Sequence, residues 1–259
     1  LTTGQVAHFE TFGFLMLKGL FSDAEVRSIR RDYDSVWNEA PGGHPFTGER
    51  TEARLPFCER RRSLSKLAED DRIYGAVEQL LGHNIIWGGS SALRFVGDSD
   101  WHTDNYDGLL KSCNMIKVIM YLEPVEKDTG CLRIIPGSHH LSFNRDLSLI
   151  EDTDSGRMPF GVPGRETPGY PMETYPADLL MFDSRAYHGA FGGRSGRSMM
   201  QMLFFPDPTQ ESDVETLHQI YDRTQYTLRV AECFLNSDQP RTRRMVSSLA
   251  EWGFETYKV

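Results

Sequence analysis

The feature that most constrains the fold is a change of hydrophobic period at residue 84. Before it, apolar residues recur at helical spacing, over residues 1–12, 22–37 and 63–81. After it they fall into short strand-like runs, at 85–87, 91–96, 114–122, 131–135, 179–182, 188–191 and 198–205. Helical patterns return near 212–235 and 243–252. Many short strands between terminal helices predict a β-sandwich or barrel that carries helices on one face.

The length and the absence of repeats favour one domain. A chain of 259 residues fits one large domain or two small ones. We predict a single domain, 1–259, with a helical part at about 1–82, a β core at about 84–206 and C-terminal helices at about 212–254. Residues 39–60 and 138–176, rich in Gly and Pro, are predicted to be irregular, and 141–175 are predicted to form a lid over the site.

Charge and cysteine usage limit the partners and the compartment. The formal charge of −9 disfavours a nucleic-acid or anionic-membrane partner, so we expect a small-molecule ligand. Cys58, Cys113, Cys131 and Cys233 have no zinc-knuckle spacing, and Cys113 and Cys131 lie in apolar runs typical of reduced, buried thiols. With no signal peptide and no apolar run of about 20 residues, a cytoplasmic location is expected. The sequence does not indicate an oligomeric state.

Two metal-ligand side chains occur in the stretch Trp101-His102-Thr103-Asp104. His102 and Asp104 are two residues apart, so on a strand they project from the same face. An imidazole and a carboxylate need one more ligand to bind a divalent metal facially, which leaves other coordination positions open for chemistry. His188, just after an apolar strand, is the candidate for that third ligand.

Arg197 precedes the apolar run Ser198–Phe205. A cation pointing in from such a strand must be paired, and the guanidinium fork suits a carboxylate held at two points. A salt bridge to one of the 37 acidic residues would satisfy it equally. Arg194, in the turn 192–196, is a rival for the same role.

The strand 114–122 has two different faces. Its even positions are mostly aliphatic and are expected to pack outward beneath the helices. Its odd positions, Met115, Lys117, Ile119 and Tyr121, would then line the barrel interior. A buried lysine needs a charge partner, which a bound carboxylate could supply, unless Lys117 reaches the rim instead.

The order of these motifs resembles the phytanoyl-CoA dioxygenase family of Fe(II)- and 2-oxoglutarate-dependent oxygenases. The resemblance is carried by His102-Thr103-Asp104, the segment Asp128–His139 reading DTGCLRIIPGSH, His188 and Arg197, and extends to the opening helix-strand-helix segment. It implies a double-stranded β-helix (jelly-roll, cupin-like) core that is mainly β with flanking helices. It also implies iron held by His102, Asp104 and His188, and 2-oxoglutarate bound by Arg197, with Lys117 as a further candidate.

Such an iron site has three adjacent positions, two for 2-oxoglutarate and one for O₂. Decarboxylation of the cosubstrate to succinate and CO₂ then supplies an oxidant for an unactivated C–H bond, so we predict a hydroxylase. Desaturation and ring-forming oxidation stay open, because they differ from hydroxylation in substrate placement and not in the metal ligands. Asp104 argues against a halogenase, in which a small residue makes room for chloride. The alternatives are a zinc hydrolase using the same three ligands and a non-catalytic jelly-roll binding protein. Residues near the metal that could meet substrate are Asn105, Tyr106, Asp107, Arg94 and Arg133.

Overall fold

The computed structural model describes residues 1–39, 46–104, 108–111, 114–151 and 158–259. The helices are α1 (Thr3–Phe12), α2 (Asp23–Asn38), α3 (Arg62–Ser65), α4 (Asp71–Leu81), α5 (Leu141–Ile150), α6 (Glu211–Thr224), α7 (Glu232–Leu235) and α8 (Pro240–Glu251). The strands are β1 (Phe14–Leu17), β2 (Glu52–Arg54), β3 (Ile86–Phe95), β4 (Ser99–His102), β5 (Ile116–Tyr121), β6 (Leu132–Ile134), β7 (Tyr170–Met172), β8 (Leu179–Asp183), β9 (His188–Ala190), β10 (Arg197–Phe205), β11 (Val230–Ala231) and β12 (Thr256–Tyr257).

Two antiparallel sheets form the jelly-roll core, which confirms the predicted fold class. The larger sheet has the strand order β1-β8-β5-β10-β3-β2, and the smaller has the order β4-β9-β6-β7. Side chains from both sheets meet in one buried cluster, including Ile119 and Phe182 of the larger sheet and Leu132 and Met172 of the smaller. The barrel interior between the sheets is therefore apolar, apart from the site described below.

The helices cover the outer face of the larger sheet. Their apolar sides share a single hydrophobic cluster with that sheet, and the cluster extends from Phe9 in α1 to Phe254 near the C-terminus. Helix α2 begins with the predicted capping box, in which the Ser22 backbone N–H donates to Glu25 Oε2 over 2.7 Å. One continuous core across both ends of the chain supports the single-domain prediction.

Strand β5 shows the predicted alternation. Val118 and Met120 belong to the helix-covered cluster, whereas Ile119 and Tyr121 belong to the barrel interior. Met115 departs from the prediction and lies in the helix-covered cluster, because the strand begins only at Ile116. The alternation therefore places Lys117 on the interior face.

Several predicted boundaries were wrong. The 123–130 connection does not close a hairpin, since β5 and β6 belong to different sheets. The 63–81 helix is broken at Asp70, whose side chain accepts from the Arg72 backbone N–H and so caps α4. The 212–235 helix ends at Gln225 in a left-handed conformation and is followed by β11 and α7. Strand β2 lies within the loop predicted at 39–60.

The predicted lid has a different architecture. Residues 141–150 form α5, because their prolines and glycines come later in the segment, and Leu147 anchors the helix. Leu147 and Phe160 pack with Trp101 and Phe191, and the Gly164 carbonyl accepts from Trp101 Nε1 over 2.8 Å. The described parts of the segment are thus held by packing beside the smaller sheet, while residues 152–157 lie outside the described residues. In the part of the chain that the structure describes, no helix is long and apolar enough to span a membrane.

Candidate metal centre

Two adjacent strands of the smaller sheet bring the two histidines together. His102 is the last residue of β4 and His188 the first of β9, and the two are direct cross-strand partners. Their ring centroids are 4.3 Å apart. Asp104 follows β4, where its backbone N–H donates to the Ser184 carbonyl over 2.9 Å. The potential ligand atoms of His102, Asp104 and His188 all lie within 4.8 Å of one another.

Backbone carbonyls fix the orientation of both imidazoles. His102 Nδ1 lies 2.7 Å from the Asp100 carbonyl, and His188 Nδ1 lies 2.9 Å from the Ala186 carbonyl. A carbonyl only accepts a hydrogen bond, so each Nδ1 carries a proton, and Nε2 is the ring atom that remains to ligate a metal. Burial, assisted by the nearby His188, lowers the pKa of His102 to about 4, so its ring is neutral at pH 7. Both rings therefore have the orientation of metal-ligating histidines, in which Nδ1–H is held by a backbone carbonyl.

Asp104 supplies the negative charge. Burial would by itself raise the pKa of this carboxyl, but the Lys117 ammonium and then His188 outweigh burial and hold the pKa well below its usual range. Asp104 Oδ2 lies 2.5 Å from Lys117 Nζ and 3.1 Å from His188 Nε2. Yet this buried oxygen has no hydrogen bond of ordinary geometry among the described residues. A carboxylate oxygen held beside the Nε2 atom of His188, with the second imidazole adjacent, fits a divalent metal ion with an N₂O ligand set.

The interior cavity connects this ligand set to Arg197. Its volume is about 180 Å³, and its lining includes His102, His188, Lys117 and Arg197. Aromatic and aliphatic side chains form most of the remaining lining, among them Phe95, Tyr121, Leu132, Phe182 and Met199. Such a largely apolar, narrow space around a few polar groups is typical of a small-molecule site.

Arg197 is buried, with 1% of its surface exposed. Its guanidinium donates to the backbone carbonyls of Gly130 and Gly97, and its Nε has no hydrogen-bond partner among the residues that the structure describes. Among the described residues no carboxylate lies within 4.0 Å of it, so the alternative of an internal salt bridge does not apply to them. Burial lowers the pKa of Arg197 from its ordinary value, but a guanidinium stays charged near neutral pH. A buried cation of this kind needs an anionic ligand.

Glycine residues make room for that guanidinium. A Cβ on Gly130 would lie 2.6 Å from Arg197 Cζ, and a Cβ on Gly193 would lie 2.5 Å from the same atom. Gly130 also has a positive φ of 89°. The glycine of the Asp128-Thr129-Gly130 turn is therefore required by the arginine and not by a hairpin.

The structure separates the other predicted residues. Arg194 is exposed, which favours Arg197 for the cosubstrate. Arg94 pairs with Asp34 Oδ1 of α2 over 3.1 Å, and its guanidinium lies 4.8 Å from the Trp37 ring centroid, on the helix-covered face of β3. Arg133 donates to backbone carbonyls, Nη1 to that of Arg165 and Nη2 to that of Lys127. Neither Arg94 nor Arg133 lines the cavity, because each side chain leaves its strand on the face away from the interior. Asn105, Tyr106 and Asp107 lie outside the described residues.

Two residues near the metal centre escaped the sequence analysis. Gln201 lines the cavity and donates Nε2 to Ser91 Oγ over 2.8 Å. A single amide within the apolar run of β10 was the available signal for it. Tyr226 follows α6, and the charge of Asp104 contributes to raising the pKa of its phenol. No pattern in the sequence relates Tyr226 to the strands.

A jelly-roll core that holds two histidines and an aspartate in one cavity with a buried arginine defines the class of mononuclear-iron, 2-oxoglutarate-dependent oxygenases. The family model for phytanoyl-CoA dioxygenase (PhyH) matches residues 9–200. The chain belongs to this family, and it is an Fe(II)- and 2-oxoglutarate-dependent dioxygenase.

Individual relatives are distant but cover most of the chain. The chain is 23% identical over 219 residues to a 2-aminoethylphosphonate dioxygenase from uncultured bacterium HF130_AEPn_1, covering 78% of this chain and 80% of the relative. It is 27% identical over 224 residues to an ectoine dioxygenase from Bordetella bronchiseptica, covering 73% of this chain and 70% of the relative. The structure of HygX from Streptomyces hygroscopicus with nickel and 2-oxoglutarate bound has the same fold, with a TM-score of 0.61, 22% identity, and coverage of 80% and 87% of the two chains.

Proposed function

We propose that this dioxygenase hydroxylates an unactivated C–H bond of a small molecule, using iron held by His102, Asp104 and His188. The observation that carries the proposal is the shared cavity. It is lined by two of three ligand residues whose ligand atoms lie within 4.8 Å of one another, and by a buried arginine that lacks a carboxylate partner among the described residues. The two features together match a metal and a dicarboxylate cosubstrate, which neither feature alone would require.

Each residue has a distinct task in this proposal. When bound, iron and 2-oxoglutarate supply the oxidising chemistry, with succinate and CO₂ as products. His102 and His188 would ligate the metal through Nε2, because backbone carbonyls hold the opposite ring N–H groups. Arg197 pairs with the distal carboxylate of 2-oxoglutarate and thereby orients it along the cavity. The apolar lining limits the access of water to the reacting groups.

A small-molecule substrate is proposed on two grounds. The relatives are named for reactions on 2-aminoethylphosphonate and ectoine, both small molecules. The cavity of about 180 Å³ also admits only a compact group beside the metal. We further propose a cytoplasmic location, which the free Cys58, Cys131 and Cys233 support.

The zinc-hydrolase alternative does not explain why Arg197 is buried in the cavity. A hydrolytic zinc site needs three ligands and a water molecule, and it does not need a buried cation at the other end of the cavity. A non-catalytic binding protein would have no use for a metal-ligand set with both imidazoles oriented by carbonyls.

Conversion of 2-oxoglutarate tests the proposal without knowledge of the substrate. Protein reconstituted with Fe(II) should form succinate from 2-oxoglutarate in the presence of O₂, slowly and without substrate, as measured by NMR. The same protein with Zn(II) should form none, and neither should Asp104→Ala or His188→Ala with Fe(II). Succinate formation that proceeds equally with Zn(II), or without O₂, would exclude an oxygenase.

A further inference from the structure

We propose that the substrate carries an anionic group, and that Lys117 binds this group at the Asp104 end of the cavity, beside the loop that holds Tyr226. This inference rests on the dioxygenase function proposed above and names the substrate class for that same site. It also moves Lys117 from the cosubstrate, where the sequence analysis placed it, to the substrate.

The two cations of the cavity lie at opposite ends of it. In the pairing of β5 with β10, Lys117 is opposite Leu203, whereas Arg197 is six residues away from Leu203 along β10. At about 3.4 Å per residue this is roughly 20 Å along the strand. The Arg197 guanidinium is held at its own end by the Gly97 and Gly130 carbonyls, and the Lys117 ammonium lies on Asp104. The two side chains therefore enter the cavity from distant strand positions, and different groups hold their charged ends.

The charges in the cavity leave Lys117 unbalanced once metal and cosubstrate are bound. The metal carries two positive charges and Arg197 carries one. The single negative charge of Asp104 and the two negative charges of 2-oxoglutarate balance these. Lys117 then contributes one positive charge in excess. Only 12% of its side chain is exposed, and Asp104 is the only carboxylate of the described residues within 4.0 Å of its ammonium. A largely buried, uncompensated charge is unfavourable, and an anionic group on the substrate removes that cost.

The Tyr226 loop packs against β3 at the row of the larger sheet that contains Lys117. Gly89 is the β3 partner of Leu203, so Gly89, Leu203 and Lys117 form one row across the sheet. The Tyr226 carbonyl lies 3.6 Å from the position that a Cβ on Gly89 would occupy. The Leu228 backbone N–H donates to the Gly88 carbonyl over 2.8 Å, which fixes the loop to this strand.

The loop holds an unusual conformation. Gln225 and Leu228 both have positive φ, at 60° and 64°, although neither is a glycine. Such conformations cost energy and persist where the surroundings require them, often at functional sites. Thr227 and Leu228 are fully buried, whereas Tyr226 between them is 52% exposed. The buried neighbours thus anchor the loop and leave the tyrosine free to meet a ligand.

The Tyr226 phenol is close enough to Asp104 for the carboxylate charge to affect it. Burial raises the pKa of Tyr226, and the charge of Asp104 raises it further. The phenol O–H can donate a hydrogen bond to an anion that Lys117 attracts. Tyr226 lies beyond residue 200, where the match to the family model ends.

Matched acids and amides test the inference on the intact protein. The 259-residue chain is loaded with Ni(II) and 2-oxoglutarate, a combination that does not turn over. It is then titrated calorimetrically with three pairs of compounds: N-acetylglycine and its amide, benzoate and benzamide, and phenylphosphonate and its dimethyl ester. We expect wild-type protein to bind at least one acid on the order of tenfold more tightly than its neutral partner. Lys117→Met should abolish the preference, Lys117→Arg should retain part of it, and Tyr226→Phe should weaken acid binding several-fold. The exposed-lysine control, Lys127→Met, should behave as wild type.

The outcomes separate the possible roles of Lys117. If Lys117→Met keeps the acid preference and instead raises the 2-oxoglutarate Kd by tens of fold, the lysine serves the cosubstrate and the inference is wrong. A wild-type protein that binds neither member of any pair, or prefers the amides, also contradicts it. Asp107 lies outside the described residues, and Asp107→Asn tests whether its carboxylate neutralises Lys117. If the preference for acids appears only in this variant, the chain itself supplies the anion and the inference is wrong. Failure of the dioxygenase function itself would instead be seen as loss of Ni(II) or 2-oxoglutarate binding in every variant.

Discussion

Replacement of Arg197 by alanine should weaken 2-oxoglutarate binding far more than replacement of Arg194. Arg197 is 1% exposed and has no carboxylate partner among the described residues, while Arg194 is exposed. Loss of a bidentate, charge-assisted contact in a desolvated pocket costs about 2–4 kcal/mol. At 1.4 kcal/mol per factor of ten, this corresponds to a rise of roughly 30- to 1000-fold in Kd. Arg194→Ala should change the Kd by less than about threefold, because an exposed charge is screened by solvent.

Calorimetric titration of 2-oxoglutarate into Ni(II)-loaded protein measures the effect directly. Arg197→Ala also leaves the Gly97 and Gly130 carbonyls without their donor, so a thermal melt must show that the variant is folded. Arg197→Lys provides a second variant that keeps the charge and loses the planar fork, and its Kd should fall between those of wild type and Arg197→Ala. Equal Kd values for Arg197→Ala and Arg194→Ala would refute the assignment of the cosubstrate to Arg197.

Three further predictions follow from the packing. Gly130→Ala should raise the 2-oxoglutarate Kd on the order of tenfold or more, because the added methyl group would displace the Arg197 guanidinium. Gly253 has a similar positive φ, but a methyl group there would meet no other atoms, so Gly253→Ala should leave that Kd unchanged. Burial raises the pKa of the Glu59 carboxyl above 4.5 in the folded protein, so the unfolded chain loses this proton at lower pH and the free energy of unfolding falls as the pH rises from about 4.5 to the folded pKa. Urea unfolding across that range should show that Glu59→Gln becomes more stable relative to wild type as the pH rises. A stability difference that does not depend on pH would contradict this. The Gly164 carbonyl already accepts a hydrogen bond from Trp101, so we expect the conformation next to Arg165 to be the same with and without ligands. Tryptic cleavage at Arg165 should therefore proceed at the same rate with and without Fe(II) and 2-oxoglutarate under anaerobic conditions. Strong protection by these ligands would favour the lid hypothesis.

The sequence was informative about the metal centre because its signals are local. Residues two apart, such as His102 and Asp104, lie on the same face of any extended strand. The alternation along β5 is likewise enough to place Lys117 inside the barrel. The family resemblance then supplied His188 and Arg197. The sequence does not indicate the register between strands. The direct pairing of His102 with His188 depends on how β4 and β9 align in the smaller sheet. The partner of Lys117 likewise depends on the position of Asp104 against Ser184.

The errors have physical reasons as well. Turn chemistry at Asp128-Thr129-Gly130 does not reveal which sheet the next strand joins, and here the chain crosses from one sheet to the other. Helix α5 was missed because the glycines and prolines that follow it dominated the composition of the longer segment. The Tyr226 loop has no sequence signal, since its left-handed residues, Gln225 and Leu228, are not glycines.

The central claim is that His102, Asp104 and His188 together bind Fe(II), and an anaerobic absorption spectrum tests it most directly. Addition of 2-oxoglutarate to Fe(II)-loaded protein should give a weak charge-transfer band at about 500 nm, as expected for a chelated Fe(II) in a facial site. His102→Ala and His188→Ala should each lose the band and bind less than stoichiometric iron. His83→Ala, which removes an imidazole whose side chain is 91% exposed, should keep both. If the band and the iron content survive in His102→Ala and His188→Ala, these histidines do not hold the iron and the account is wrong.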